Sequence, residues 1–144
     1  MEQLINALKI AFASEYAFAL KAQNFHWNTE GADFLEFHML FENIYDEVYG
    51  SIDAFAENIR KSGGYTPASL SKFSMLTVVE DENNILDART MTAELLADSD
   101  KLAQMMAMVY KMADGVGEYG LSNFLAERQD AHRKHSWFLR STLK

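Results

Sequence analysis

The chain has 144 residues, of which 49% are hydrophobic and 24% charged, so it is long and apolar enough to fold around a core of its own. Its formal net charge of −8 argues against a general nucleic-acid binder, because neutralising phosphates requires clustered lysine and arginine. No stretch is apolar for long enough to span a membrane, the N-terminus lacks a signal-peptide pattern, and there is no cysteine. We therefore expect one cytoplasmic domain, residues 1–144, with no membrane partner.

The single proline and seven glycines favour long uninterrupted helices. Apolar residues recur with helical periodicity in four stretches, which we predict to be helices over residues 2–27, 33–62, 90–113 and 121–143. An apolar patch, residues 70–76, is expected to form a minor helix in the long connection between the second and third helices. One long crossover allows those two helices to lie parallel, so the predicted fold class is an all-α four-helix bundle.

Two short motifs mark the ends of the second predicted helix. Asp33, followed by Glu36, has the spacing of a capping box, in which side chains bind the free amides of the first turn. Gly63-Gly64 is typical of a helix end. We therefore expect side-chain capping at Asp33 and termination at Gly63.

Polar residues interrupt the apolar faces of three helices. Glu15 lies on that of the first helix, where we expect it to pair with a neighbouring helix; an inward carboxylate on a metal route is the alternative. Asp98 breaks the apolar series of the third helix. On the last helix His132 and His135 have the spacing of a metal-binding pair, but no carboxylate stands at the Glu-x-x-His spacing of di-iron bundles. We interpret these two histidines as structural.

Four metal-capable side chains lie on one stripe of the second helix. His38 and Glu42 are one helical turn apart, and Asp53 and Glu57 repeat that spacing further along. At about 1.5 Å per residue, Glu42 and Asp53 are roughly 16 Å apart along the axis, too far to hold the same ion. Taken singly, such residues are typical of a solvated helix face. Within one chain the stripe therefore holds two separate half-sets of ligands. One is His38 with Glu42, and the other is Asp53 with Glu57.

The positions of the two half-sets suggest how they could meet. They are placed symmetrically about a point between Glu47 and Val48. Two copies of the helix that cross antiparallel at this point would set the histidine-bearing half-set of one chain against the dicarboxylate half-set of the other, and a two-fold dimer would make this contact twice. His26, at the end of the first helix, is available as a further ligand. Imidazole and carboxylate ligation without thiolates suits iron.

The sequence around this stripe resembles the Dps family, the mini-ferritins named as DNA-binding proteins from starved cells. The resemblance is carried by Asn24-Phe25-His26-Trp27-Asn28, Phe34 to His38, Asp53-Ala54-Phe55-Ala56-Glu57 and Gly63-Gly64. It is close over residues 16–64 and weaker over the rest of the chain. It implies a ferritin-like four-helix subunit, twelve copies of which form a hollow shell with di-iron ferroxidase sites between two-fold-related chains.

The resemblance also implies the residues of the site. The five positions that match the family's metal ligands are His26, His38, Glu42, Asp53 and Glu57. Glu42 departs from the pattern, because many members have Asp there; the charge is kept but the side chain is one methylene longer. Trp27 stands where the family places an aromatic residue beside the site, where it would supply an electron or pack the dimer interface.

The activity that the resemblance implies is oxidation of Fe(II), by hydrogen peroxide in preference to O2. Ferric mineral would be stored inside the shell, which protects against oxidative damage. Family members also line pores on the three-fold axes with acidic residues. Glu118 matches one of these positions, whereas Asn123 stands where Asp is common.

Two other functions stay open. A structural cage, or a shell that binds another metal without ferroxidase activity, is the alternative that the departures at Glu42 and Asn123 leave open. DNA compaction is the second, and family members that bind DNA commonly use a mobile lysine-rich tail. Here the first helix is predicted to begin almost at once, and the last to extend to within a residue or two of Lys144. Because we predict no basic tail and the chain is acidic, we expect no DNA binding.

Overall fold

The computed structural model describes all residues, 1–144, and contains five α-helices and no strand: α1 Glu2–Asn28, α2 Phe34–Lys61, α3 Leu70–Leu76, α4 Ala88–Gly115 and α5 Tyr119–Thr142. The all-α prediction is confirmed, and α3 has the predicted bounds. α4 begins two residues before the predicted start because Asp87 caps it. The carboxylate of Asp87 accepts a hydrogen bond of 2.9 Å from the backbone amide of Thr90.

The capping box predicted at the start of α2 is wrong. Asp33 is the N-cap residue, but its backbone is left-handed, with φ of 59°, and its side chain makes no capping hydrogen bond. The turn is closed by the main chain instead, since the amide of Phe34 donates to the carbonyl of Gly31 at 3.2 Å and that of Phe37 donates to Asp33 at 3.2 Å. A capping side chain normally extends from a β-region backbone, which this turn does not provide.

The predicted end of α2 at Gly63-Gly64 is confirmed. The amide of Gly63 donates to the carbonyl of Arg60 at 3.0 Å and that of Gly64 donates to Ile59 at 3.1 Å. Gly63 has φ of 94°, in the left-handed region that favours glycine. At Gly64 the restriction is space, because a Cβ atom would lie 2.6 Å from Cγ2 of Ile5.

The helices pack as two pairs, α1 with α2 and α4 with α5, and α1 joins the pairs through its contact with α4. Short connections link the members of each pair, which therefore run antiparallel. Residues 62–87 form the crossover between the pairs, and α3 within it packs on α1. This arrangement confirms the predicted bundle with one long crossover. None of the five helices has both the length and the hydropathy of a membrane span.

Two apolar clusters fill the bundle on either side of a polar layer. One contains 14 buried residues, Phe18 and Phe41 among them, and the other contains 11, including Phe12 and Phe55. On each long helix, the members of the two clusters lie toward opposite ends. Charged groups occupy the level between them, where the carboxylate of Glu15 is fully buried.

Candidate metal centre

The end of α1 and the start of α2 bring His26 and His38 together. Their rings are stacked, with centroids 3.7 Å apart and planes 19° from parallel. The hydrogen bonds are reciprocal: Nδ1 of His26 lies 2.7 Å from the carbonyl oxygen of His38, and Nδ1 of His38 lies 2.6 Å from that of His26. Each helix therefore fixes the ring carried by the other.

These bonds determine which nitrogen of each ring carries the hydrogen. A carbonyl oxygen only accepts, so both Nδ1 atoms must donate, and in a neutral imidazole the lone pair is then on Nε2. Neither Nε2 atom has a hydrogen-bond partner within the chain. An Nδ1–H bonded to a backbone carbonyl is the usual support of a histidine that binds metal through Nε2.

Aromatic rings surround this histidine pair. Tyr45 meets the ring of His26 edge-on, with centroids 5.2 Å apart, and Phe34 stacks on His38 at 5.0 Å. His26 is buried, whereas the adjacent Trp27 is 62% exposed. In a single chain, most of the indole thus lies at the surface.

Asp53 and Glu57 lie further along α2, and both are exposed. The hydrogen bond that a protonated Glu57 donates to the carboxylate of Asp53, and the repulsion between the two carboxylates, raise the pKa of Glu57 above its usual value, while Lys61 opposes this effect. The neighbouring carboxylate therefore disfavours the ionisation of Glu57, and a bound cation would remove that penalty.

The structure does not assemble the five predicted ligands within one chain. Glu42 is half-buried one turn after His38, and no group of three or more metal-capable side chains comes together. His26 joins His38, and Asp53 joins Glu57, but the two half-sets stay apart. A site that used all five residues would need a second chain, and both that site and the antiparallel crossing of two α2 helices stay predictions.

A second collection of imidazoles and carboxylates lies at the centre of the bundle. We call Glu15, Glu47, Arg128, His132 and His135 the central network. Arg128 donates from Nη2 to Oε2 of Glu15 at 2.8 Å, and from Nη1 to Oε2 of Glu47. Nε2 of His132 bonds Oε1 of Glu15, and Nε2 of His135 lies 2.7 Å from Oε1 of Glu47. The expectation that Glu15 pairs with a neighbouring helix is confirmed, and both histidines hydrogen-bond carboxylates, as expected of structural residues.

Ionic partners outweigh burial in this network. Burial alone would raise the pKa of Glu15, but the charges and hydrogen bonds of His132 and Arg128 lower it. For Glu47, burial is likewise opposed by His135 and Arg128, which lower the pKa to about 2. The guanidinium of Arg128 is stabilised in turn, since both carboxylates raise its pKa. Both carboxylates are thus ionised at neutral pH.

Sequence reasoning missed Arg128 and Glu47. The available signal was on α5, where Arg128 precedes His132 by one helical turn and so shares its buried face. A cation on an inward face requires an anion opposite it. The break at Asp98 has the same kind of explanation, because Asp98 accepts a hydrogen bond of 2.8 Å from Nζ of the buried Lys21.

Four long helices, one long crossover and metal-capable side chains on α2 define the class of ferritin-like bundles. Comparison with family models agrees, because the model of the ferritin-like domain matches residues 5–144. The chain therefore belongs to the ferritin-like family.

Three similar proteins show to which group of ferritin-like proteins the chain belongs. Dps from Thermosynechococcus elongatus superposes with a TM-score of 0.96 at 27% identity, covering 99% of this chain and 91% of that one. Dps from Vibrio cholerae O1, described as a member of a broad superfamily of ferritin-like diiron-carboxylate proteins, gives 0.94 at 26% identity, covering 99% and 90%. A low temperature-induced protein of Nostoc sp. (strain PCC 7120) is 31% identical over 143 residues, which are 98% of this chain and 80% of the relative. Within the ferritin-like proteins, the chain belongs to the Dps family, as the residues around α2 indicated.

Proposed function

We propose that this protein oxidises Fe(II) and stores the ferric product inside a closed shell of its own copies, and so protects against oxidative damage. The similarity to Dps proteins supports this, since one of them is described as belonging to a diiron-carboxylate superfamily. The observation that carries the proposal is the reciprocal bonding of His26 and His38. It leaves two Nε2 lone pairs on adjacent, fixed rings.

Each site would be shared between two chains. His26, His38 and Glu42 come from one chain, and Asp53 and Glu57 from the second. The set combines two neutral imidazoles with three carboxylates, a mixture of nitrogen and oxygen donors that suits Fe(II). The like-charge penalty within the Asp53–Glu57 pair would be relieved when the iron substrate binds.

The reaction that fits a paired site is the two-electron reduction of hydrogen peroxide. Each of two Fe(II) ions gives one electron, the O–O bond breaks, and two protons are taken up to form two water molecules. Because both electrons arrive together, hydroxyl radical is not released. O2 is the poorer oxidant, and Trp27 would supply an electron or pack the interface.

Storage follows from the assembly that we propose, a dodecamer with an acidic interior. A net charge of −8 per chain is consistent with such an interior, which would attract Fe(II) and nucleate ferric mineral. Glu118 would line the three-fold pore through which iron enters the shell.

Complementation between two inactive variants tests the shared site. We expect His38→Ala and Asp53→Ala each to abolish rapid Fe(II) oxidation by hydrogen peroxide, followed by absorbance. When the two variants are co-expressed, a mixed dimer pairs the intact His38 of one chain with the intact Asp53 of the other. Half of randomly formed dimers are mixed and each holds one intact site, so activity should return to about a quarter of the wild-type value.

The control is Asp81→Ala, which removes an exposed carboxylate outside α2 and should leave oxidation unchanged. If the site lay within one chain, every chain of the mixture would be defective and no activity would return. A wild-type protein that assembles but oxidises no Fe(II) would instead favour the structural cage or a shell for another metal.

A further inference from the structure

Tyr16 on α1 and Tyr49 on α2 form a pair that the proposed site does not use. Their rings meet edge-on, with centroids 5.6 Å apart and planes 64° apart. Tyr16 is half-buried and stacks on Phe73 of α3, with ring centroids 4.5 Å apart. The ring of Tyr16 is therefore fixed between α2 on one side and the crossover on the other.

Tyr49 lies on the same stripe of α2 as the predicted ligands. It precedes Asp53 by one helical turn, which is about 6 Å along the helix axis. Its side chain is 37% exposed, so the stripe carries it at the surface. A phenol is among the side chains that most readily give up one electron, and this one lies a single turn from a half-set of ligands.

Tyr16 offers a route for the proton that an oxidised phenol must release. The hydrogen bond that Tyr49 donates to the hydroxyl of Tyr16, together with burial, raises the pKa of Tyr49 to about 12. Tyr49 is thus protonated at neutral pH and can lose an electron only together with that proton. Tyr16 also lines a cavity of about 480 Å³ beside the crossover, as does the exposed Glu80. A proton can therefore pass from Tyr49 to the oxygen of Tyr16 while Tyr16 releases its own proton to the cavity.

We propose that Tyr49 is a one-electron donor to the α2 site and that Tyr16 is the positioning residue that carries its proton to the cavity. This inference rests on the proposed function, because it concerns hydrogen peroxide at a site that holds only one Fe(II). That ion gives one electron, the O–O bond breaks, and hydroxide and a hydroxyl radical form. Tyr49 supplies the second electron, which reduces the hydroxyl radical to hydroxide. Its proton leaves through Tyr16, and a neutral tyrosyl radical remains.

A second Fe(II) completes the cycle. Its electron reduces the tyrosyl radical, and a proton returns from the cavity through Tyr16 to restore the phenol. The two hydroxides take up two protons and become water, so the sum is the reduction of one peroxide by two Fe(II). The tyrosine pair thus lets a half-filled site complete the reaction of a full one without releasing hydroxyl radical.

Freeze-quench electron paramagnetic resonance tests the proposal at half loading, with one Fe(II) per chain and hydrogen peroxide in excess. We expect a tyrosyl signal in the wild type. It should be lost in Tyr49→Phe, in which a spin trap should capture more hydroxyl radical. Tyr16→Phe keeps the phenol of Tyr49 but removes its proton route, so the signal should form more slowly and lose its solvent deuterium effect. Tyr65→Phe, the matched control, removes a tyrosine of the crossover that is 78% exposed and should change neither readout.

An iron-free measurement separates this proposal from the proposed function. Azide radicals made by pulse radiolysis oxidise aromatic side chains directly, and the yield of long-lived tyrosyl radical should fall in Tyr49→Phe but not in Tyr65→Phe. If the wild type oxidises no Fe(II) while this difference is present, the proposed function fails and the redox-active pair stands. Equal radical yields in Tyr49→Phe and the wild type by both routes overturn the proposal. Fe(II) oxidation at half loading with no tyrosyl signal in the wild type also overturns it.

Discussion

The histidine pair beside the α1–α2 turn and the histidine pair on α5 use the same side chains in opposite ways. His26 and His38 direct Nδ1 to backbone carbonyls and leave Nε2 without a partner. His132 and His135 direct Nε2 to carboxylates that Arg128 already neutralises. The first pair thus leaves Nε2 available to a ligand, whereas Nε2 of each ring in the second pair is already committed as a donor to a carboxylate inside the chain.

The central network and the carboxylates of α2 also differ in their roles. The network contributes to stability, whereas the α2 carboxylates are available to bind a cation. Four members of the central network are buried, namely Glu15, Arg128, His132 and His135, so each must be paired and its loss is costly, whereas Glu47 is 39% exposed. Asp53 and Glu57 are exposed and repel each other, so they contribute little to folding and stay available to a cation. Three changes can break or sharpen this contrast.

The largest effect is expected from Arg128→Ala. It leaves the fully buried carboxylate of Glu15 without its guanidinium partner, and breaking a buried ion pair costs about 3–5 kcal/mol of unfolding free energy. Urea denaturation at fixed protein concentration measures this loss. Arg133→Ala removes an exposed arginine of the same helix and should change the unfolding free energy by about 0.5 kcal/mol at most. Equal losses in both variants would contradict a special role for the network.

An intermediate effect is expected from Glu47→Gln on the pH dependence of stability. The pKa of Glu47 is lowered in the fold to about 2 from an ordinary value of 4.5. Its ionised form therefore stabilises the fold above pH 4.5, and this contribution is lost as the pH falls toward 2. The variant should show a shallower loss of stability across this interval, measured by denaturation at successive pH values. An unchanged slope would show that other carboxylates govern acid unfolding.

The smallest effect on stability is expected from Asp53→Asn in the metal-free protein. Removing one of two like charges one turn apart should leave the thermal midpoint unchanged or slightly raised. The same variant should lose rapid Fe(II) oxidation. A large drop in the midpoint together with the loss of oxidation would mean that Asp53 supports the fold rather than the site.

The local pattern of residues in the sequence was sufficient to predict most of the fold. Helical periodicity located all four long helices, and Gly63-Gly64 located the end of α2. It failed at Asp33, because spacing does not reveal a left-handed backbone that prevents the side chain from capping. It also missed the cap at Asp87, so α4 was predicted to begin two residues too late.

The candidate site was likewise predictable from the sequence only in part. Spacing on α2 predicted two half-sets that cannot meet within a chain, and the structure keeps them apart. The spacing of residues could not show that His26 and His38 stack and fix each other's tautomer. That depends on how the turn between α1 and α2 places the end of one helix beside the start of the other. Nor could it pair Arg128 with Glu15, since these residues are 113 positions apart.

The sequence by itself determined the helices, the single crossover and the stripe of metal-capable residues on α2. These features depend on residue spacings that recur over one or a few helical turns. Only the tertiary structure decided which histidines leave Nε2 without a partner and which direct it to a carboxylate of another helix. Side chains distant in the chain settle that question when the helices pack, and helical periodicity carries no information about partners on another helix.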